Sequence, residues 1–256
     1  MKISARLPIV LRGVTRAALL STACLALTAL AAQADPYDDA PTQPPTDPPP
    51  AGSVDPGAIT VPKAAHSAAL KSHSGKYKIV AGKPLPPEML ENNVADVEAG
   101  AANLRKQIEN VRLHGVTPVV AINAFATDHP DEIEAVKRIA LESGALGAAV
   151  STHWADGGKG AMELAEMVIE AAEQPSEFKF LYDLDQPIKA KIETIAKKIY
   201  GAEGVYFEPF ADQQIASYEA NGFGDLPICM AKTHLSLSHD PKLKGAPTGF
   251  TLPIRE

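Results

Sequence analysis

Cysteine is nearly missing from this chain: only Cys24 and Cys229 occur in 256 residues. Cys24 would leave with the leader described below, so the mature chain could form no internal disulfide, and the cysteine count does not suggest a disulfide scaffold. Tryptophan occurs once, at Trp154, and aromatic residues make up 5% of the chain, so a ring outside the core is an informative marker. Basic charge is short as well, with 24 Lys and Arg against 31 Asp and Glu and a net charge of −7. A surface that neutralises phosphates needs the opposite balance, which argues against a nucleic-acid partner. There is no G-x-S-x-G nucleophile turn, no G-x-x-x-x-G-K-[ST] phosphate loop and no G-x-G-x-x-G fingerprint. His66, His73, His114, His129, His153, His234 and His239 are scattered without the i, i+4 or cysteine-paired spacing of a metal site, and none is implied.

Long apolar runs are lacking too, apart from Ala17–Ala32, which is shorter than the roughly 20 residues of a transmembrane span. Lys2, Arg6, Arg12 and Arg16 precede that run, and Ala32-Gln33-Ala34 follows it, the order of a secretory signal over residues 1–34. A misplaced start codon is the alternative origin. Cleavage would leave an exported chain with no membrane segment. Residues 35–67 open with DPYDDAPTQPPTDPPPAGSVDPG, too rich in proline and too poor in apolar side chains to build a core. They read as an extended, disordered linker.

From residue 68 the pattern changes. Val97, Ala101, Leu104, Ile108 and Val111 recur at three and four, predicting an amphipathic helix over Asp96–Leu113 closed by Gly115. Val116–Asn123 reads as a strand buried on both faces, as parallel strands are. Asp128 and Pro130 start the next helix, Gly144 ends it, and Leu146–Ser151 is a second strand, giving a strand-helix-strand crossover. Further helices are expected at Lys159–Glu173, Pro187–Tyr200 and Phe210–Asn221, and a third buried strand at Leu226–Ala231. The class is α/β with a mostly parallel sheet and flanking helices. Thr248–Glu256 reads as a turn entering a strand with nothing behind it, the look of an excerpt.

Ligands of open parallel sheets bind beyond the carboxyl ends of the strands. TPVVAINAFATD and AAVSTHWADGGKG place Asn123, Phe125, Asp128, Ser151 and Trp154 there. Two rings following neighbouring strands make a stacking clamp for a flat heteroaromatic ligand. Phe125 fits a core position equally well, and Asp128 reads first as a helix cap. The Asp156-Gly157-Gly158 turn either opens a helix N-terminus to an anion or is a tight turn that lets the helix begin.

From Ala69 onward the sequence closely resembles formate–tetrahydrofolate ligase, also called formyltetrahydrofolate synthetase. The resemblance lies in ALKSHSGKYKIVAGKPLPPEML, EAGAANLRKQIENVRLHGVTPVVAINAF, STHWADGGKGAMELAE, FLYDLDQPIKAKIETIAKKIYGAEGV, GFGDLPICMAKTHLSLSHDPKLKGAPTGF and LPIRE, in order. It implies a P-loop NTPase-like family fold, incomplete here, with residues 68–256 as a partial ligase domain. The family couples ATP cleavage to a formyl phosphate that formylates tetrahydrofolate in one-carbon metabolism. It is cytoplasmic, usually tetrameric and stimulated by potassium, a monovalent cation. The resemblance makes Phe125 and Trp154 the pair that sandwiches the pterin ring. Ala126 departs from the family's N-x-F-P-T-D turn by replacing the proline, which should loosen the turn carrying Phe125.

The family's phosphate loop lies upstream of the point where the resemblance begins, so the catalytic residues are unassigned here. A fragment with little or no activity alone is the reading this supports, either inactive or working only when assembled with the missing part, and the expected partners are a homo-oligomer or a complementing ligase chain. Alternatives are an exported, non-catalytic folate- or ligand-binding module and the product of a rearranged gene.

Overall fold

Prolines and glycines cut the apolar runs into short strands and helices, and the computed structural model describes residues 62–65, 67–79, 84–230 and 237–255. The leader, the linker as far as residue 61, His66 and His234 lie outside the described residues. Val119–Asn123 (β2) and Gly147–Ser151 (β3) pair in parallel, from Val119 opposite Gly147 to Asn123 opposite Ser151. β2 is buried along its first four residues, as a central parallel strand should be. Its strand begins later than Val116, because Pro118 offers no N–H to a ladder.

The linker expected to reach residue 67 gives way earlier. Pro62–Ala65 form a strand (β1) parallel to β2, and the sheet order is β1-β2-β3. Pro62 is tolerated because it is the first residue of an edge strand.

Three helices connect β1 to β2: Ser67–His73 (α1), Val94–Gly100 (α2) and Ala102–Leu113 (α3). The single helix expected over Asp96–Leu113 is thus two, broken at Ala101. Gly100 lies so close to α1 that a Cβ there would meet the Leu70 carbonyl oxygen at 1.7 Å. The apolar periodicity survives the break, since Val97, Ala101, Leu104 and Ile108 all enter one core with Val120 and Ile122 of β2. Pro130–Glu142 (α4) crosses from β2 to β3 and adds Val136 and Ile139 to that core.

The helix expected at Lys159 begins at Met162 instead. A one-turn helix, His153–Asp156 (α5), and a 3-10 turn, Gly157–Ala161, precede Met162–Glu173 (α6). Gly160 is held against Thr152, whose carbonyl carbon and Oγ1 would lie 2.6 Å from an added Cβ. That contact accounts for a glycine here as packing.

The second half has its own core. Ile188–Ile195 (α7) runs into a π-helical turn, Ala196–Tyr200, followed by Gly204–Phe207 (β4) and Pro209–Ala220 (α8). Thr251–Ile254 (β5), the strand expected at the end of the sequence, pairs in parallel with β4. The strand expected over Leu226–Ala231 is absent across 226–230, and Ala231 lies outside the described residues. Side chains have taken its ladder groups: the buried Lys191 ammonium donates to the Gly224 and Leu226 carbonyls, and the Ile228 N–H donates to Tyr182 Oη at 2.9 Å. Pro227 removes a further donor.

α3 joins the halves through hydrogen bonds. Its buried Asn103 donates to the Gly245 carbonyl at 3.0 Å and its buried Asn110 to the Ile199 carbonyl at 3.1 Å. Lys106 donates to the Lys198 carbonyl at 2.8 Å. Among the described residues Asn110 Oδ1 is the one buried side-chain polar atom without a partner.

Lys71 and Glu132, each 1% exposed, form a buried ion pair between α1 and α4. Lys71 also donates to the Met89 and Glu91 carbonyls at 2.9 and 2.7 Å, and Glu132 accepts the Asn93 N–H at 2.7 Å. Asp96 is the other buried carboxylate among the described residues, hydrogen-bonded by Lys76 and Tyr77. The Lys76 ammonium and then the Tyr77 hydroxyl hold its pKa below the ordinary carboxylate range. The same contact, followed by burial, pushes Tyr77 up to about 12.

Two outcomes follow for unfolding. Lys71→Ala leaves Glu132 buried without its cation and costs about 3–5 kcal/mol in urea denaturation, whereas Lys71→Met with Glu132→Leu comes back close to neutral. Because Asp96 binds its proton less readily folded than unfolded, its contribution is whole above the unfolded value of ~4 and is lost as pH falls through the depressed folded value. Melting at pH 7 and pH 3 should therefore show a smaller acid-induced drop in Asp96→Asn than in the wild type.

Candidate functional site

The carboxyl ends of β1, β2 and β3 form one edge, and β2 and β3 each end in a polar residue, Asn123 and Ser151. Asn123 and Ser151 are register partners at the ends of β2 and β3, and the Ala124 N–H extends the ladder to the Ser151 carbonyl at 3.1 Å. Beyond Ala124 the chain folds back. The Asp128 N–H donates to the Phe125 carbonyl at 3.0 Å, and Asp128 Oδ2 accepts the Phe125 N–H at 2.9 Å. This corrects the capping role expected of Asp128. The N-cap of α4 is His129, and the Glu132 and Ile133 N–H groups go to the His129 carbonyl. Asp128 closes the turn before the helix, as short carboxylate side chains do.

Asp128 Oδ1 accepts the Ser67 hydroxyl at 2.6 Å, which brings in the first residue of α1, directly beyond β1. Ser67 is a site residue that sequence reasoning missed. It lies where the linker was expected to continue, and nothing in its neighbourhood marks it.

Beyond β3, Trp154 occupies α5. Its indole N–H donates to the Ala124 carbonyl at 3.0 Å, so the ring lies against the turn that follows β2. The Phe125 and Trp154 rings stack, with centroids 5.7 Å apart and planes 23° from parallel. Trp154 is 57% exposed and Phe125 is half-buried, which answers the question of whether Phe125 is a core residue. Ser151 is buried at 1% exposure, with its hydroxyl 2.9 Å from His153 Nδ1, so the second missed residue, His153, is held beside the indole. Thr152 secures the same turn through its N–H to the Gly160 carbonyl at 2.9 Å and its hydroxyl to Asp156 at 2.7 Å.

All five residues expected at the edge are therefore gathered there. The two rings touch each other, which the strand order alone did not require. A flat ring held between them would need them ~7 Å apart, twice a carbon contact distance. Among the described residues no group of three or more His, Cys, Asp or Glu is placed to hold a metal, and no helix is long and apolar enough to cross a membrane.

These strands and edges define an α/β protein built on parallel sheets. Residues 51–256 match the family profile described as formate–tetrahydrofolate ligase. The chain is 63% identical over 188 residues to the formate–tetrahydrofolate ligase of Saccharopolyspora erythraea, covering 73% of this chain and 33% of that protein. It is 55% identical over 188 residues to the ligase of Cutibacterium acnes and 58% identical over 190 residues to that of Chloroflexus aurantiacus, with the same shares covered. The chain belongs to the formate–tetrahydrofolate ligase family, and it spans about one third of the length of these curated relatives.

The stack is testable in the free protein. Phe125→Ala and Trp154→Ala, singly and together, should give a coupling energy of about 1 kcal/mol in a double-mutant cycle of urea unfolding. A coupling of zero would mean that the rings are not in contact in solution.

Proposed function

We propose that this chain is the folate-facing portion of a formate–tetrahydrofolate ligase, with Phe125 and Trp154 taking the two faces of the pterin ring. The observation that carries the reading is the pair of rings stacked at the carboxyl edge of a parallel sheet, in a chain of this family. Aromatic faces are a sequence-tolerant platform for a flat heterocycle, and polar groups around the rim orient it. Asn123, half-buried at the end of β2, is placed for that role, while the buried Ser151 hydroxyl is engaged by His153 and holds the turn beyond β3.

Seating the pterin opens the pair. Trp154 is the ring that moves, giving up its hydrogen bond to the Ala124 carbonyl: it is the more exposed and sits on a one-turn helix, while Phe125 lies two residues beyond β2.

The reaction of the family would be ATP-dependent formylation of tetrahydrofolate through a formyl phosphate, on a P-loop NTPase-like fold and with a monovalent cation. Phosphoryl transfer depends on a cradle of backbone amides and a lysine around the phosphates. The sequence carries no G-x-x-x-x-G-K-[ST] loop; in this reading the chain supplies the acceptor side of the reaction and a complementing ligase chain the triphosphate site, while a homo-oligomer would only repeat the folate-facing edge. Export follows if the leader over residues 1–34 is used, and the family's cytoplasmic setting if it is not.

Titrating the full chain with tetrahydrofolate while following the fluorescence of its one tryptophan tests the reading. Saturable quenching is expected, absent in Trp154→Phe, and calorimetry should show Phe125→Ala binding about tenfold more weakly, the worth of one stacked face. A folded sample with no quenching and no heat of binding would sink the folate role. Supplied with ATP and formate as well, the chain alone should make no formyltetrahydrofolate, and turnover would refute the assignment of the triphosphate site to another chain.

A further inference from the structure

α1 and the segment entering α4 are joined by two rungs of the same spacing. Ser67 and Lys71 are four residues apart on α1, and their partners Asp128 and Glu132 are four apart where β2 passes into α4. The inner rung, Lys71–Glu132, is an ion pair buried at 1% exposure on each side. The outer rung is the Ser67 hydroxyl donating to Asp128 Oδ1 at 2.6 Å, with Ser67 4% exposed. The other carboxylate oxygen of Asp128 receives the Phe125 N–H at 2.9 Å, and the Asp128 N–H returns to the Phe125 carbonyl at 3.0 Å. Ala126 and Thr127, between them, are exposed.

We infer that Asp128 is the positioning residue for the Phe125 ring, its carboxylate oriented by Ser67, so that α1 sets the geometry of the ring pair. The Asp128 carboxylate holds the Phe125 N–H while the Asp128 backbone N–H closes the turn on the Phe125 carbonyl, and a carboxylate that accepts an N–H at one oxygen and an O–H at the other is held in orientation by the two bonds. The inner rung matters because an ion pair withdrawn from water tolerates little displacement of either helix. The outer rung inherits that register one turn away. The inference rests on the folate reading for its functional consequence, but the placement of Phe125 is observable without any ligand.

The test uses the full chain carrying Asp128→Ala, Asp128→Asn or Ser67→Ala, with Phe125→Ala as the reference for a lost stack. Near-ultraviolet circular dichroism and emission of Trp154 are recorded without ligand, and tetrahydrofolate is then titrated by calorimetry. Asp128→Ala should reproduce the Trp154 spectra of Phe125→Ala and weaken tetrahydrofolate by the same factor of about ten. Asp128→Asn keeps an acceptor for the Phe125 N–H and should stay within about twofold of the wild type. Combining Asp128→Ala with Phe125→Ala should cost no more affinity than Phe125→Ala alone.

A purely structural role would lower the urea midpoint while leaving the Trp154 spectra as in the wild type, and that outcome overturns the inference, as does additivity in the double variant. Should Asp128→Ala fail to fold, Ser67→Ala decides: an unchanged Trp154 spectrum refutes the role of the rung. If the spectra change as described while the wild type takes up no tetrahydrofolate, the positioning role stands and the folate reading falls.

Discussion

A lysine and a glutamate taken together out of water are the constraint on which the first half of this molecule depends. Each ion of the Lys71–Glu132 pair would cost several kcal/mol to bury alone, so the fold must supply every remaining hydrogen bond. It does so with the Met89 and Glu91 carbonyls and the Asn93 N–H, all from the connection between α1 and α2. The pair thereby ties down a stretch whose described residues hold a single 3-10 turn, Pro87–Met89, and sets α1 against α4. The apolar core of Val97, Leu104, Ile108, Val136 and Ile139 supplies driving force but is non-directional; the ion pair gives it a register.

The seam along α3 works on a different principle. An apolar face there would have merged the two cores. Asn103, Lys106 and Asn110 instead hand N–H groups to carbonyls at Gly245, Lys198 and Ile199, each at a defined point. Hydrogen bonds of this kind contribute only about 1 kcal/mol apiece, but leaving such a group unpaired costs more, so they select one arrangement of the halves over others. The π-helical turn at Ala196–Tyr200 displaces backbone carbonyls from the regular ladder, and two of the seam's acceptors, Lys198 and Ile199, lie within it.

Much of this was legible in the residues. The two runs ending in Asn123 and Ser151 announced parallel strands, their crossover helix and the edge where Phe125 and Trp154 meet, because buried strands and strand-end turns leave strong local patterns. The family was legible too, through long collinear stretches. What stayed hidden was settled by contacts distant in sequence. β4 is only four residues long and partly buried, and its short apolar run, Val205–Phe207, predicts no strand by itself. Leu226–Met230 has a strand's composition but gives its polar groups to Lys191 and Tyr182, which no local window reveals. Asp128 was read as a cap from its place before Pro130, yet its partners are Phe125 and the remote Ser67. β1 was concealed by the proline-rich stretch in front of it.

β1 closes the sheet at long range. β2 meets β3 across one helix, whereas β1 meets β2 across three and a stretch of irregular chain. Doubling a loop adds only about 0.6 kcal/mol of closure cost, so the longer connection weighs little against the pairing. β1 is four residues long, and among the described residues its pairing is with β2. Ser67 follows it after a single residue, so this marginal strand delivers the hydroxyl that meets Asp128, 61 positions away in sequence, and the edge that carries the rings is built from parts of the chain that are far apart.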